Sequence, residues 1–125
     1  AVLENDRPLA SVPGEITPGA EFYDYKDKYE DGATLQIPSA LSESETAEVQ
    51  ELAVKVFNIL RCRGLARVDF FYDDEAKIWF VNEINTMPGF TPISMFPKLW
   101  NASGMSYEDL IDTLIQNALI DSPME

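Results

Sequence analysis

The clearest periodicity in the chain lies between Ser42 and Gly64. Val49, Leu52, Ala53, Val56, Ile59 and Leu60 recur at helical spacing. Ser42 with Glu45 three residues on forms a capping box, and Gly64 closes the run, so the pattern predicts a helix from about Glu43 to Cys62. Cys62 at its end reads as a small core hydrophobe. Upstream the pattern is strand-like and broken by Pro and Gly. Leu9 to Ile16 reads as extended, Pro18-Gly19 as a turn, Phe22 to Tyr25 as a short strand and Lys26 to Ala33 as a surface loop. Leu35 to Ile37 is a further short strand, ended by Pro38. Downstream, Leu65–Tyr72 and Lys77–Asn85 are β-rich runs flanking Asp73 to Ala76, which predicts a hairpin. Met87 to Thr91 is a Pro/Gly loop, and Ser94 to Asn101 a short helix broken by Gly104. Ser106 and Asp109 cap a last helix through about Ile120.

Composition narrows the chemistry. The 125 residues carry nine Lys+Arg against 22 Asp+Glu, a net charge of −13, with no His and one Cys. At 46% hydrophobic the chain can bury a core of single-domain size. The acidity argues against nucleic acid and anionic membrane surfaces as partners. The missing His excludes His-based triads and His general bases, and one Cys excludes a disulfide framework. No apolar run approaches a membrane span, so a cytoplasmic setting is expected. The chain opens at Ala1-Val-Leu in mid-pattern, which reads as a cut through a longer protein.

What chemistry remains centres on the hairpin. Side chains alternate faces along a strand, so Arg67 and Asp69 share a face, and so do Glu83 and Asn85. Ala66, Val68, Phe70, Ile78, Phe80 and Ile84 then read as core. Any one of the polar residues is ordinary on a solvated sheet face. Together they offer a cation, two hard carboxylates and an amide oxygen, the donor types Mg²⁺ takes beside phosphate. Asp69 and Glu83 share a face only if paired residue numbers sum to an even value. Their direct opposition requires a three-residue loop, Glu75-Ala76-Lys77. Gly89 lets backbone approach a ligand and offers an N–H as oxyanion donor. Ser94 is placed to cap the helix that follows or to bind a substrate carboxylate.

The residues also carry a resemblance. Gly64-Leu-Ala-Arg-Val-Asp69-Phe-Phe, Asn82-Glu-Ile-Asn-Thr-Met-Pro-Gly-Phe-Thr91 and Ser94-Met-Phe-Pro-Lys-Leu-Trp100 closely resemble the C-terminal part of D-alanine–D-alanine ligases of the ATP-grasp superfamily. Ala10 to Ile16 and Phe22 to Tyr29 resemble the same family, so the likeness runs along nearly the whole chain. It implies an α+β fold, the ATP-grasp C-terminal subdomain, with an antiparallel sheet and flanking helices. The Glu43–Cys62 helix and the last helix are expected on one face. The subdomain fills 1–125, and the N-terminal and central domains are absent.

The resemblance further implies roles. Asp69, Glu83 and Asn85 match the ligands of two Mg²⁺ or Mn²⁺ ions against the ATP phosphates, Glu83 bridging. Arg67 and the N–H of Gly89 match groups that stabilise a tetrahedral intermediate. Lys28 matches a phosphate contact, Phe22 and Asn82 positions lining the nucleotide pocket. Ser94 and Met95 match contacts to the second D-alanine. Tyr29 matches a loop tyrosine that closes the site and favours D-alanine over D-lactate. The implied partners are ATP, D-alanine and the missing domains, with a homodimeric parent left open. The chain departs from the family at the hairpin turn, where members carry Asp-Gly and this chain has Asp73 to Lys77. A D-alanine–D-lactate ligase, another ATP-grasp carboxylate–amine ligase, and a non-catalytic metal-binding or interaction domain are the alternative readings.

Overall fold

The computed structural model describes residues 1–17 and 34–121. Among these residues six strands and three helices follow in order: β1 (Val2–Asn5), β2 (Arg7–Ala10), β3 (Glu15–Thr17), β4 (Thr34–Gln36), α1 (Glu43–Ile59), β5 (Leu65–Asp73), β6 (Ile78–Asn85), α2 (Met95–Ala102) and α3 (Tyr107–Asp121). Four strands form one antiparallel sheet in the order β2-β1-β5-β6, and β3 pairs with β4 apart from it. This is the α+β architecture the sequence predicts. The expected strand Phe22 to Tyr25 and loop Lys26 to Ala33 lie outside the described residues. Among those residues no helix is long and apolar enough to cross a membrane.

The first hairpin was not legible in the pattern. Its strands have four residues each, Pro8 sits in one of them, and Asp6 turns between them at φ 59°. The expected strand Leu9 to Ile16 is divided, Leu9 and Ala10 ending β2 and Ile16 lying in β3. The α1 capping box is present as expected, but the helix ends at Ile59, short of Cys62. Arg61 takes φ 54° there. Its N–H donates to Asn58 O at 3.0 Å and that of Cys62 to Phe57 O at 3.0 Å. That is a Schellman closure with Arg where Gly is usual. Gly64, expected to stop the helix, leads into β5, its N–H donating to Glu4 Oε2 at 2.8 Å.

The central sheet is covered on both faces, not one. Val2 pairs with Ala66 and Leu3 with Leu65, and neighbouring pairs point to opposite sides. Val2 and Ala66 pack with Ala53 and Phe57 of α1. Leu3 and Leu65 pack with Phe96 and Trp100 of α2 and Leu110 of α3. Both positions of each strand are apolar, so each face needs its own cover. Cys62 is half-buried against the α1 cluster, as a small core hydrophobe.

The long hairpin carries a further correction. Arg67 faces Asn85 and Asp69 faces Glu83, but Phe70 faces Val81 and Asp73 faces Ile78. Asn82 is therefore an extra residue in β6, a bulge. The turn between Asp73 and Ile78 spans four residues, not three. Asp73 Oδ1 accepts from Glu75 N (3.1 Å) and Ala76 N (3.0 Å), and Lys77 takes φ 57°. The bulge adds the residue that restores the even register at Asp69 and Glu83. It also reverses faces nearer the turn. Trp79 stacks on Tyr72 on the α1 side (4.0 Å between centroids), while Ile78 and Phe80, expected in the core, are 49% and 54% exposed.

The hairpin is tied to α1 at its turn end. Glu45 closes the capping box by accepting from Ser42 N through Oε1 at 3.1 Å. Its other oxygen accepts from the Tyr72 hydroxyl. This bond, with the Ser42 contacts, holds the Glu45 carboxyl down to about 2 and pushes Tyr72 up to about 12. A lowered acid pKa adds stability above the ordinary value, and this is lost as pH falls from about 4.5 toward 2. A raised tyrosine pKa adds stability below about 10, and this is lost as pH rises toward 12. Urea unfolding of Tyr72→Phe against the parent sequence should show a difference that is flat near neutrality and shrinks at both extremes. A pH-independent difference would count against the bond.

Candidate functional site

The site is built on strands before it is built on chemistry. Arg67 and Asp69 stand two apart on β5, on the face that α2 and α3 cover only at the Leu65 end. Arg67 Nε donates to Asp69 Oδ1 at 2.9 Å and Nη2 to Oδ2 at 3.0 Å, a bidentate pair. Nη2 also lies 3.9 Å from Glu83 Oε1 across the strand pair. The Arg67 and Asp69 side chains are about three-quarters buried, at 26% and 30% exposure, while Glu83 is 61% exposed. One cation thus stands between two carboxylates, anchored to the deeper and leaving the shallower open.

Asn85 ends β6 opposite Arg67. Its Oδ1 accepts from Met87 N at 3.0 Å, which fixes the amide at the start of the loop. Asp69, Glu83 and Asn85 are therefore brought to one face, as the even register requires. Among the described residues no group of three or more His, Cys, Asp or Glu is placed to hold a metal ion. The third oxygen of this set comes from an amide. The donors suit a hard cation, since each accepting oxygen keeps a lone pair beyond the bond it already makes. Asn82 sits in the bulge, exposed beside Glu83.

The loop after Asn85 folds back on α2. Pro88 is buried, and a Cβ at Gly89 would lie 3.2 Å from Ser94 Oγ, a tight contact for which the serine side chain would have to give by a few tenths of an ångström. Ser94 precedes α2 without capping it through its side chain. Its hydroxyl accepts from Thr91 N at 3.1 Å and shares a 2.7 Å bond with Thr91 Oγ1. The expected capping role is thus absent, and Ser94 is half-buried facing the loop. Met95 lies against the segment before β3, its Cε 3.0 Å from a Cβ built at Gly14. Phe22, Lys28 and Tyr29 lie outside the described residues.

Two side-chain contacts between distant segments leave no mark in the sequence pattern. Tyr107, the first residue of α3, donates its hydroxyl to Phe90 O at 2.5 Å. Tyr72 and Glu45 join the far end of the hairpin to α1. For Tyr107 the signal is an aromatic beside the cap residue Ser106; Tyr72 carries no such signal.

Residues 1–116 match the family described as D-ala D-ala ligase C-terminus. The D-alanine–D-alanine ligase B of Clostridium tetani is 54% identical over 120 residues, 95% of this chain and 34% of its own. The solved D-alanine–D-alanine ligase of Coxiella burnetii superposes with a TM-score of 0.80 at 44% identity, over 95% of this chain and 30% of that one. A D-alanine–D-alanine ligase of Bacillus anthracis solved with ATP gives 0.69 at 33% identity, over 86% and 35%. The chain spans about a third of the length of the relatives it matches. The chain belongs to the D-alanine–D-alanine ligase C-terminal family.

Proposed function

We propose that the chain is the C-terminal ATP-grasp subdomain of a longer, cytoplasmic D-alanine–D-alanine ligase and carries its catalytic face. The observation that carries this reading is the direct opposition of Asp69 and Glu83 beside Arg67, one strand end away from the Gly89–Ser94 loop. In the reaction, the carboxylate of one D-alanine takes the γ-phosphoryl group of ATP, giving an acyl phosphate and ADP. The amine of a second D-alanine then attacks the acyl carbon and phosphate leaves, yielding the dipeptide used in peptidoglycan precursors. ATP as cosubstrate is supported by the Bacillus anthracis relative solved with it.

Asp69, Glu83 and Asn85 would hold two divalent cations, Mg²⁺ or Mn²⁺. Bound there, the ions supply neutralisation of the ATP phosphates, the main need of phosphoryl transfer. Arg67 is held rigid by Asp69 and turned toward the open face, where it stabilises negative charge on the attacked acyl carbon's oxygen. The N–H of Gly89 serves the same oxygen. Ser94 binds the second D-alanine's carboxylate, with Met95 against its side. By resemblance, Phe22 and Asn82 line the nucleotide pocket, Lys28 contacts phosphate and Tyr29 closes the site. The second substrate is D-alanine and not D-lactate on the strength of Tyr29.

The test is an assay of the full-length parent with ATP, Mg²⁺ and D-alanine. D-alanine-dependent phosphate release with dipeptide formation is expected, and replacing part of the D-alanine by D-lactate should yield no ester. The 125 residues alone, lacking the N-terminal and central walls, are expected to release no phosphate. A parent that binds Mg²⁺ but releases no D-alanine-dependent phosphate would leave the non-catalytic reading. Light scattering of the same sample reads whether the parent is a homodimer.

A further inference from the structure

One peptide unit in the site is held at both of its polar ends. The unit joining Phe90 to Thr91 presents its carbonyl to the Tyr107 hydroxyl at 2.5 Å and its N–H to Ser94 Oγ at 3.1 Å. The ring of the same residue is held as well. Phe90 lies between Phe96 (centroids 5.8 Å) and Tyr107 (5.7 Å), both tilted by under 40°. Phe96 is fully buried, so one wall of this clamp is core. Gly89 immediately precedes it and, lacking a Cβ, has the widest backbone freedom of any residue. A loop that places a glycine N–H and a serine hydroxyl against a ligand needs that freedom removed from outside. The clamp on Phe90 restricts it from the C-terminal side, because a peptide plane bonded at both ends cannot rotate without breaking a bond.

We propose that Tyr107 is a positioning residue for this loop. From the first turn of α3 it fixes the Phe90–Thr91 peptide plane, and so sets the Gly89 N–H and the Ser94 hydroxyl in one arrangement. The inference rests on the functional reading above, which assigns those two groups to the acyl carbon and the second D-alanine. Tyr107 touches neither substrate in this scheme. Its reach is confined to the loop. The hairpin groups Asp69 and Glu83 are held by Arg67 and by strand pairing instead. The expected signature is therefore selective: use of D-alanine suffers while use of ATP does not.

The test is Tyr107→Phe in the full-length parent, which keeps the ring contact with Phe90 and removes only the hydroxyl. At saturating ATP, kcat/KM for D-alanine should fall by about five- to tenfold, the range of one net hydrogen bond. The KM for ATP at saturating D-alanine should stay within about twofold, since no phosphate-facing group moves. Thermal melting, run alongside, should show a folded protein. A Tyr107→Phe enzyme with a lowered melting temperature and unchanged D-alanine kinetics would overturn the proposal, leaving the hydroxyl a purely structural bond. Equal losses in the D-alanine and ATP parameters would overturn it too. A wild-type parent without D-alanine-dependent turnover would overturn the functional reading and this one together. An active parent whose variant is kinetically silent overturns this one alone.

Discussion

Glu83→Gln in the full-length parent is expected to lower kcat by on the order of a hundred- to a thousandfold while leaving the fold intact. The substitution keeps the side chain's shape and removes its charge. Glu83 is 61% exposed and Arg67 Nη2 stands 3.9 Å from its Oε1, so little folding energy depends on that pair. Surface changes of this kind stay within about 0.5 kcal/mol. A large kinetic loss at unchanged stability would mark a group that acts on bound phosphate through a cation. Raising Mg²⁺ should recover part of the rate, because the weakened ligand set needs more ion to fill. Unchanged turnover would sink the assignment and favour an acidic domain without catalytic work.

Asp69→Asn is the informative partner because it does two things at once. Asp69 accepts both Arg67 donors, at 2.9 and 3.0 Å, and the pair is three-quarters buried. Neutralising it takes away the carboxylate that accepts both of those bonds, a cost of about 1 kcal/mol in stability. Turnover should fall at least as far as in Glu83→Gln, and Mg²⁺ should recover less of it, since the guanidinium also loses its bidentate anchor. The two carboxylates look equivalent in the sequence. Their unequal burial and bonding predict that they fail differently.

That inequality shows where sequence reading stopped. The faces of β5 followed from alternation alone, since nothing interrupts its nine residues. In β6 alternation failed at Asn82, and a one-residue bulge carries no reliable signature beyond a polar residue in an apolar run. The sequence sets the opposition of Asp69 and Glu83 only as a condition, which the register meets, while the three-residue loop that condition required is absent. Two departures, a longer turn and a bulge, cancel at the site and leave Ile78 and Phe80 exposed between them. The α1 start was legible because a capping box is local. Its end was not, because the left-handed position fell to Arg61 and not to glycine. The two-sided cover of the sheet was visible in Val2-Leu3 and Leu65-Ala66, where both alternate positions are apolar. It was missed because β1 itself was missed. Contacts between distant segments, such as Tyr107 on Phe90, leave no periodic trace.

Phe57→Ala and Phe96→Ala should each cost about 3–5 kcal/mol of stability, yet only the second should change the chemistry. Both rings are essentially inaccessible, at 1% and 0% exposure. Each deletion leaves a cavity the size of a ring in a cluster of few members. A domain of this size has about 5–15 kcal/mol in total, so either variant stands near the edge of folding. Phe57 lies on the α1 side, beneath Ala66 and Val68, and touches nothing on the open face. Phe96 lies on the other side, its ring 5.8 Å from Phe90, which carries the clamped peptide beside Gly89. Removing it takes away the inner wall of that clamp. Urea unfolding of the full-length variants should therefore give similar losses. At a temperature where both are folded, Phe57→Ala should keep its D-alanine kinetics and Phe96→Ala should lose kcat/KM for D-alanine by more than Tyr107→Phe does, because ring and hydroxyl hold the same residue. Equal kinetics in the two phenylalanine variants would mean that the loop is held by its own turn and not by the core beneath it.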